Sequence, residues 1–430
     1  MNSLVDSGMN RSQPLQWSEI SLVLGLASTL VMWGGQTYWP LAFSLLGLYT
    51  SRKAMWRFLR EFDSDSQMAV RVMVGSFVVY CVSRMAFYLA HGNRFNMEPL
   101  IPFLLFPFLV PFVVQYGLRQ RAMWLGIMLG SMLTTGLATY QVFVLGLERA
   151  CGFANPITFG DVCVLFALSA TIGATGSYAR NHEAKWFRYN LFVAAALAGY
   201  ASLLSGSKGG WLSLLVVAAL GAARIWRNLP RTARPRGLLL VLAFVFAAGV
   251  LVPQRAVQRV ESGVKAGVHW LQTGEVTDSS VSYRFEMWAF GLTLFKEYPV
   301  MGASRAQWLE KRSEYVQQGR FSPKLLELQT TDSQFIGDLA EGGLWGLTQT
   351  LMLIFAPVWA FRRLHSRYPN HTRIQDLSVL GMWIPIVFAE FGLSVSLWGL
   401  SMFRQVYVSW LALVLAMLLV EIQRVQMSER

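Results

Sequence analysis

The sequence predicts an all-α, polytopic membrane protein. Of its 430 residues, 54% are hydrophobic and only 14% are charged, and the mean hydropathy is +0.40. A soluble domain carries about 25% charged residues, so the deficit indicates a surface that mostly faces lipid. Long apolar runs along the chain and the placement of Lys and Arg between them support the same fold class.

Apolar runs long enough to cross a bilayer recur through the chain. A membrane-spanning helix needs about 20 mostly apolar residues, and the second run is the shortest. The sequence contains twelve such runs, at roughly 18–35, 38–51, 68–90, 98–117, 122–145, 158–178, 188–205, 209–226, 237–252, 334–361, 376–396 and 400–420.

The basic residues predict the orientation of these spans. If the N-terminus is cytoplasmic, the inner segments hold twenty-one Lys and Arg, whereas the short outer loops hold three: Arg94, Arg149 and Lys208. Cytoplasmic loops are enriched in Lys and Arg. Both termini are therefore predicted to be cytoplasmic.

One outer segment is much larger than the others and divides the chain into three parts. We expect spans one to nine in residues 1–252, a large outer loop in 253–332, and spans ten to twelve in 333–430. Within Ser282–Tyr298, apolar residues recur at helical spacing, and a second helix is predicted from Ser304, its N-cap, to about Gln318. Such short amphipathic helices are expected along the outer interface, either as a structural cap or as a lid over a site. The apolar positions of the first helix are Phe285, Trp288, Ala289, Leu292 and Phe295.

Several classes of function are disfavoured. The net charge of +13 does not indicate nucleic-acid binding, because the cations lie in short loops rather than along one continuous face. The three cysteines form no CxxC or Cys/His cluster, and HExxH and Walker A motifs are absent. We therefore predict no metal and no cofactor.

Charged residues near the outer ends of the spans are candidates for function, because charges at membrane depth are costly. Their cations lie in different segments, so they could converge on an anionic ligand presented from the membrane, above all a lipid-linked diphosphate. Alternatively, Arg149 simply extends to the interface, and Asp161 and Asp338 are structural partners of the cations. The full set is Arg84, Glu148, Arg149, Asp161, Lys208, Arg284, Asp332, Asp338, Glu341, Glu390 and Arg404.

Three of the predicted outer segments carry short motifs. Ser205–Trp211 reads SGSKGGW, Ser282–Gly302 contains the pattern S-x-R-x-x-x-W followed by E-x-P-x-x-G, and Asp332–Gly346 reads D-S-x9-G-x-x-G. Together they resemble the bacterial O-antigen ligase family, whose relatives include O-antigen polymerases and protein O-oligosaccharyltransferases. The corresponding family patterns are S-R-G-x-W, S-x-R-x-x-x-W…E-x-P-x-x-G and H-[NSQ]-x9-G-x-x-G. The chain departs from the family at two positions, with Lys208 in place of an arginine and Asp332 in place of a histidine.

The resemblance implies a glycosyltransferase of lipopolysaccharide biosynthesis in the bacterial inner membrane, similar to the metal-independent GT-C-type enzymes. Its donor would be O-antigen linked to undecaprenyl diphosphate, its acceptor the lipid A-core oligosaccharide, and its active site would face the periplasm. Metal-dependent enzymes that use such donors resemble one another in an acidic pair in the first outer loop, and residues 34–38 contain no carboxylate. An O-antigen polymerase and a non-enzymatic transporter of lipid-linked glycan are the alternatives.

The same resemblance assigns roles to individual residues. Lys208 and Arg284 are expected to bind the diphosphate, with Arg84, Arg149 and Arg404 as a second ring. The candidate catalytic base is Asp332, which could instead be the N-cap of the tenth span. The candidates for orienting the acceptor are Asp338 and Glu341.

Overall fold

The computed structural model describes residues 15–50, 62–91, 97–228, 231, 235, 239, 254–274, 276–277, 280–328 and 330–429. Every regular element within these residues is helical, which confirms the predicted all-α class. The helices are α1 (Trp17–Ser28), α2 (Gly35–Thr50), α3 (Ser64–Ala90), α4 (Ile101–Gln115), α5 (Gln120–Val144), α6 (Pro156–Thr175), α7 (Ser177–His182), α8 (Lys185–Ser205), α9 (Lys208–Asn228), α10 (Gln254–Thr273), α11 (Ser280–Glu297), α12 (Arg305–Gln317), α13 (Gln334–Arg367), α14 (Thr372–Phe391) and α15 (Ser401–Ser428).

The helices match the apolar runs of the sequence. Among the described residues, eight helices are long and apolar enough to cross a membrane, namely α3, α5, α6, α8, α9, α13, α14 and α15. The shorter apolar helices α1, α2 and α4 occupy three further predicted runs. The run at 237–252 lies almost wholly outside the described residues. The chain is thus a multi-pass membrane protein.

Two helices form the centre of the bundle. In the most apolar 18-residue stretch of each helix, 89% of the residues of α6 and 94% of those of α15 are buried inside the protein. Both helices can be buried in this way because they are apolar on all sides. The rings of Phe166 and Trp410 join them edge to face at 5.2 Å. Helices α5, α8, α9 and α14 pack around α6, so α6 supports the α8–α9 hairpin.

The loop that was predicted to lie outside, residues 253–332, has a small hydrophobic core of its own. Phe290 of α11 contacts the rings of Trp308, Tyr315 and Phe321 at 5.4, 6.3 and 5.7 Å. Helix α12 and the 3-10 turn Pro323–Glu327 close over this core.

Both predicted loop helices are present. The Ser304 side chain caps α12, accepting from Gln307 N at 3.3 Å. On α11, the loop core contains Met287, Phe290 and Leu294, whereas Leu292 of the predicted apolar face is 40% exposed. The predicted apolar face is therefore not the face that packs into the loop's own core.

Helix α13 is broken near its N-terminal end. Gly343 has φ 58° and ψ −152°, and residues 299–303 pack against this break. Leu344 N and Trp345 N donate to the carbonyls of Pro299 and Val300 at 2.9 and 3.1 Å. A Cβ at Gly343 would lie 2.6 Å from the Val300 carbonyl carbon. Glycine is therefore required here both for the backbone conformation and for the close approach.

Candidate functional site

A cavity of about 340 Å³ opens at the exit of the outer loop. It lies between the loop, the start of α6 and residues 394–400, which connect α14 to α15 (the 394–400 segment). Its charged lining residues are Arg149, Arg284 and Asp332. The remaining lining residues are Asn155, Pro156, Ile157, Thr330, Ser394, Val395, Ser396, Gly399 and Leu400.

Arg284 and Asp332 face each other across this cavity. Their closest charged atoms, Arg284 Nε and Asp332 Oδ2, are 3.7 Å apart. The other carboxylate oxygen of Asp332 accepts a hydrogen bond from the Thr330 hydroxyl at 2.9 Å. The pair is longer than a hydrogen-bonded ion pair, so the guanidinium keeps N–H groups for other acceptors.

The backbone around Asp332 is held in an unusual conformation. Asp332 has φ 47°, the left-handed region that few non-glycine residues occupy. One turn beyond Arg284 on α11, Trp288 Nε1 donates to the Thr331 carbonyl at 2.9 Å. The N-cap of α13 is Ser333, so the alternative that Asp332 caps this helix is wrong. Instead, Trp288 fixes the loop exit so that Asp332 faces Arg284.

Arg149 is the second cation of the cavity, and it also hydrogen-bonds to the C-terminal end of α8. Its Nε donates to the Ser205 carbonyl at 2.6 Å, and Ala150 N donates to the Leu204 carbonyl at 3.0 Å. Burial lowers the pKa of the Arg149 guanidinium, and the nearby charge of Arg284 lowers it further. Two cations are therefore held close together in a partly dry site, which favours binding of an anion with more than one charge.

The turn between α8 and α9 places Lys208 beside this cavity. Gly206 takes the left-handed conformation at φ 64°, and the buried Asp161 accepts a hydrogen bond from the Ser207 hydroxyl at 2.7 Å. Ser207 in turn accepts from Gly210 N at 3.3 Å. A Cβ at Gly209, the residue after Lys208, would lie 2.7 Å from the hydroxyl oxygen of Ser394, which lines the cavity. Asp161 thus acts as the structural support of the turn that carries Lys208.

An apolar groove of about 200 Å³ runs along α8 and α9 below Lys208. The two helices are joined by a short turn but both pack on α6, and they separate below the turn. The groove begins at Leu214, about 9 Å below Lys208 at 1.5 Å per residue. Its walls carry many small residues, among them Ala167, Ala195, Ala196, Ala218 and Gly221.

Arg404 and Arg84, predicted as part of the second ring of cations, do not line the cavity. Arg404 is 3% exposed and forms an ion pair with Glu98 at 2.8 Å. It also donates to the Trp398 carbonyl, so it supports the 394–400 segment from behind. Arg84 lies over the rings of Phe87 and Tyr88, with its guanidinium carbon 5.3 and 5.5 Å from their centroids.

Asp338 and Glu341 also lie outside the cavity lining. Asp338 accepts from Gln334 Nε2 at 2.9 Å, and Gln334 Oε1 accepts from Trp398 N at 3.0 Å. This chain of hydrogen bonds fixes the 394–400 segment. The backbone at Glu341 is packed against Gly302 in the break of α13.

No sequence pattern predicted the 394–400 side of the cavity. Ser394, Ser396 and Gly399 carry neither charge nor a recognisable motif, and only the packing of α14 and α15 brings them opposite Arg284. Across the described residues, no group of three or more His, Cys, Asp or Glu side chains is arranged to hold a metal ion.

Comparison with known proteins agrees with the motifs. Residues 193–351 match the family model described as O-antigen ligase. An uncharacterised protein of Haemophilus influenzae is 22% identical over 348 residues, covering 80% of this chain and 84% of the relative. The segment matched by the family model includes Lys208, Arg284 and Asp332.

Proposed function

We propose that the chain transfers O-antigen polysaccharide from undecaprenyl diphosphate to the lipid A-core oligosaccharide, and the match of residues 193–351 to the O-antigen ligase family model supports this proposal. The reaction would take place at the periplasmic face of the inner membrane. The observation that carries this proposal is that Arg149, Arg284 and Asp332 line one and the same cavity. It combines two cations for a diphosphate with a carboxylate that is 48% exposed.

The proposed reaction is an inverting glycosyl transfer without a metal. A hydroxyl oxygen of the acceptor attacks the anomeric carbon of the first sugar while the bond from that carbon to the diphosphate oxygen breaks. Arg284 and Arg149, with Lys208 beside them, stabilise the negative charge that develops on the departing undecaprenyl diphosphate. Asp332 accepts the proton of the acceptor hydroxyl.

An O-antigen polymerase is the second candidate, because it would use the same donor and differ only in the acceptor. A transporter is less well supported, because Arg149 and Lys208 lie at span ends, and Arg284 in a loop, that the charge pattern places outside. Such a transporter would need a path for the anion through the membrane depth.

We expect the purified protein to form polysaccharide-bearing core when it is mixed with the lipid-linked donor and lipid A-core, without added divalent metal. Longer lipid-linked polymer without core attachment would identify a polymerase. Donor that changes membrane side without any new glycosidic bond would identify a transporter. In cells, deletion of a ligase leaves core without O-antigen, whereas deletion of a polymerase leaves core with a single repeat unit.

The apolar groove below Lys208 is placed to hold the isoprenoid tail of the donor while the diphosphate reaches the cations. We expect Ala218→Leu, which fills the groove, to raise the KM for a long-chain donor about ten-fold, because about two buried CH₂ groups of the tail lose their place at about 0.8 kcal/mol each. The neighbouring Ala219 is exposed and outside the groove, so Ala219→Leu is the matched control. Steady-state transfer assays measure both variants, and equal effects would remove the groove as the tail site.

A further inference from the structure

Helix α10 covers Lys208 with one face and leaves a second apolar face open. Gly263 lies over Lys208, so that a Cβ at this position would be 2.7 Å from the Lys208 Nζ atom. Trp270 stacks on Phe285 of α11 with centroids 5.2 Å apart, and Ala266 is buried. One face of α10 therefore packs against Lys208 and against α11.

The open face consists of Val264, Val268 and Leu271, which we call the apolar stripe. These side chains are 61%, 46% and 70% exposed. Their spacing of four and three residues places them on one side of the helix. At 100° per residue, the stripe lies next to the protein-facing side, and the polar residues Glu261, Lys265 and Gln272 lie beyond it.

The level of the stripe in the membrane follows from Lys208. Lys208 begins α9, one of the helices apolar and long enough to span the bilayer, and Gly263 lies directly over its side chain. Val264 is thus at the depth where a membrane-spanning helix ends. At this depth lipid headgroups meet acyl chains, and an amphipathic helix lies in the interface with its apolar side in the acyl region.

We propose that the apolar stripe of α10 inserts into the outer leaflet of the bilayer. The lipid would then hold α10 in place over Lys208, and we call this covering helix the roof of Lys208. The charge pattern of the helix supports lipid rather than protein as the occupant. The exposed pair Lys265–Glu261, 2.7 Å apart, borders the stripe on the side farther from the protein and keeps its contact with water. The helix therefore has one side for the protein, one for lipid and one for water.

Site-directed spin labelling tests this proposal on the full-length protein in lipid nanodiscs. Cys81 and Cys163 are buried, so single cysteines are introduced in a Cys151→Ser background. The test positions are Val264→Cys, Val268→Cys and Leu271→Cys, and the controls are Lys265→Cys and Gln272→Cys. We expect labels in the stripe to collide more with oxygen than with a water-soluble nickel complex, and the control labels to show the reverse.

Two outcomes would overturn the proposal. Stripe labels that are as accessible to nickel as the controls would place the stripe in water. Stripe labels protected from both reagents would show that protein, from this chain or a second copy, covers them. This readout does not depend on enzymatic transfer.

A second measurement connects the roof to the proposed function and rests on it. We expect the double variant Val268→Gln with Leu271→Gln to raise the KM for the lipid-linked donor several-fold with little change in kcat. The polar side chains would no longer insert into the bilayer, so α10 would not be held over Lys208. Lys265→Gln is the matched control on the water side and should change neither constant. If the KM of the double variant is unchanged while the spin labels show that the stripe faces lipid, the stripe inserts into the bilayer but does not help to bind the donor. That result would overturn only the link to donor binding.

Discussion

Arg284→Ala is expected to lower kcat/KM for polymer transfer by at least about 100-fold. A single donor to a developing anion contributes about 10²–10³ in rate, and Arg284 is a cation that lines the cavity opposite Asp332. Arg149 remains in the cavity but donates its Nε–H to the Ser205 carbonyl. It therefore has fewer N–H groups free to replace those that are lost.

Two further variants make this prediction specific. Lys296 is an exposed cation on the same helix, α11, and Lys296→Ala should retain wild-type activity. Arg284→Lys should restore part of the loss, since lysine keeps the charge but not the planar pair of donors. Full activity of purified Arg284→Ala, measured as transfer from undecaprenyl diphosphate to lipid A-core, would contradict the diphosphate-binding role.

Asp332→Asn is expected to lower kcat by about 10²–10⁴-fold, the contribution of a general base. Asparagine has nearly the same shape, tolerates the left-handed backbone and can still accept from the Thr330 hydroxyl, but it cannot take the acceptor's proton. The variant therefore removes the proposed chemistry and preserves the local structure. Single-turnover transfer with saturating donor and acceptor measures the chemical step.

Additional variants at this position separate the base from the backbone. Asp332→Gly adopts φ 47° readily, and Asp332→Ala does so at a cost of about 1–2 kcal/mol. If the role is that of a base, all three variants lose activity to a similar degree. Activity that persists in the asparagine and glycine variants and falls only in the alanine variant would mean that Asp332 serves the loop conformation, and another group would have to accept the proton.

The residues of the second motif, Ser282–Gly302, contact those of the third, Asp332–Gly346, in the folded protein. Trp288 binds the Thr331 carbonyl, Arg284 faces Asp332, and Pro299 and Gly302 pack into the break at Gly343. The second and third motifs thus form one packed unit. Their glycines serve close backbone approach, whereas Arg284 and Asp332 remain on its cavity side.

The sequence alone determined the class of fold and the existence of most helices. Apolar length and the alternation of Lys and Arg are local properties that determine how each segment inserts into the membrane. The long apolar helices from Ser64 to Ser428 accordingly follow the apolar runs. The cap at Ser304 was predictable for the same reason, since a capping box is complete within four residues. The motifs also predicted Arg284 and Asp332 as candidate site residues, and both line the same cavity.

Only the tertiary structure decided which charges share a site. Arg149 and Arg404 were equivalent candidates by sequence, yet one lines the cavity and the other is bound by Glu98. The packed face of α11, the uncharged 394–400 wall and the roof that α10 forms over Lys208 were likewise set by packing. The physical reason is that depth in the membrane is fixed by local hydropathy, whereas the partner of a side chain at that depth depends on which distant helix packs beside it.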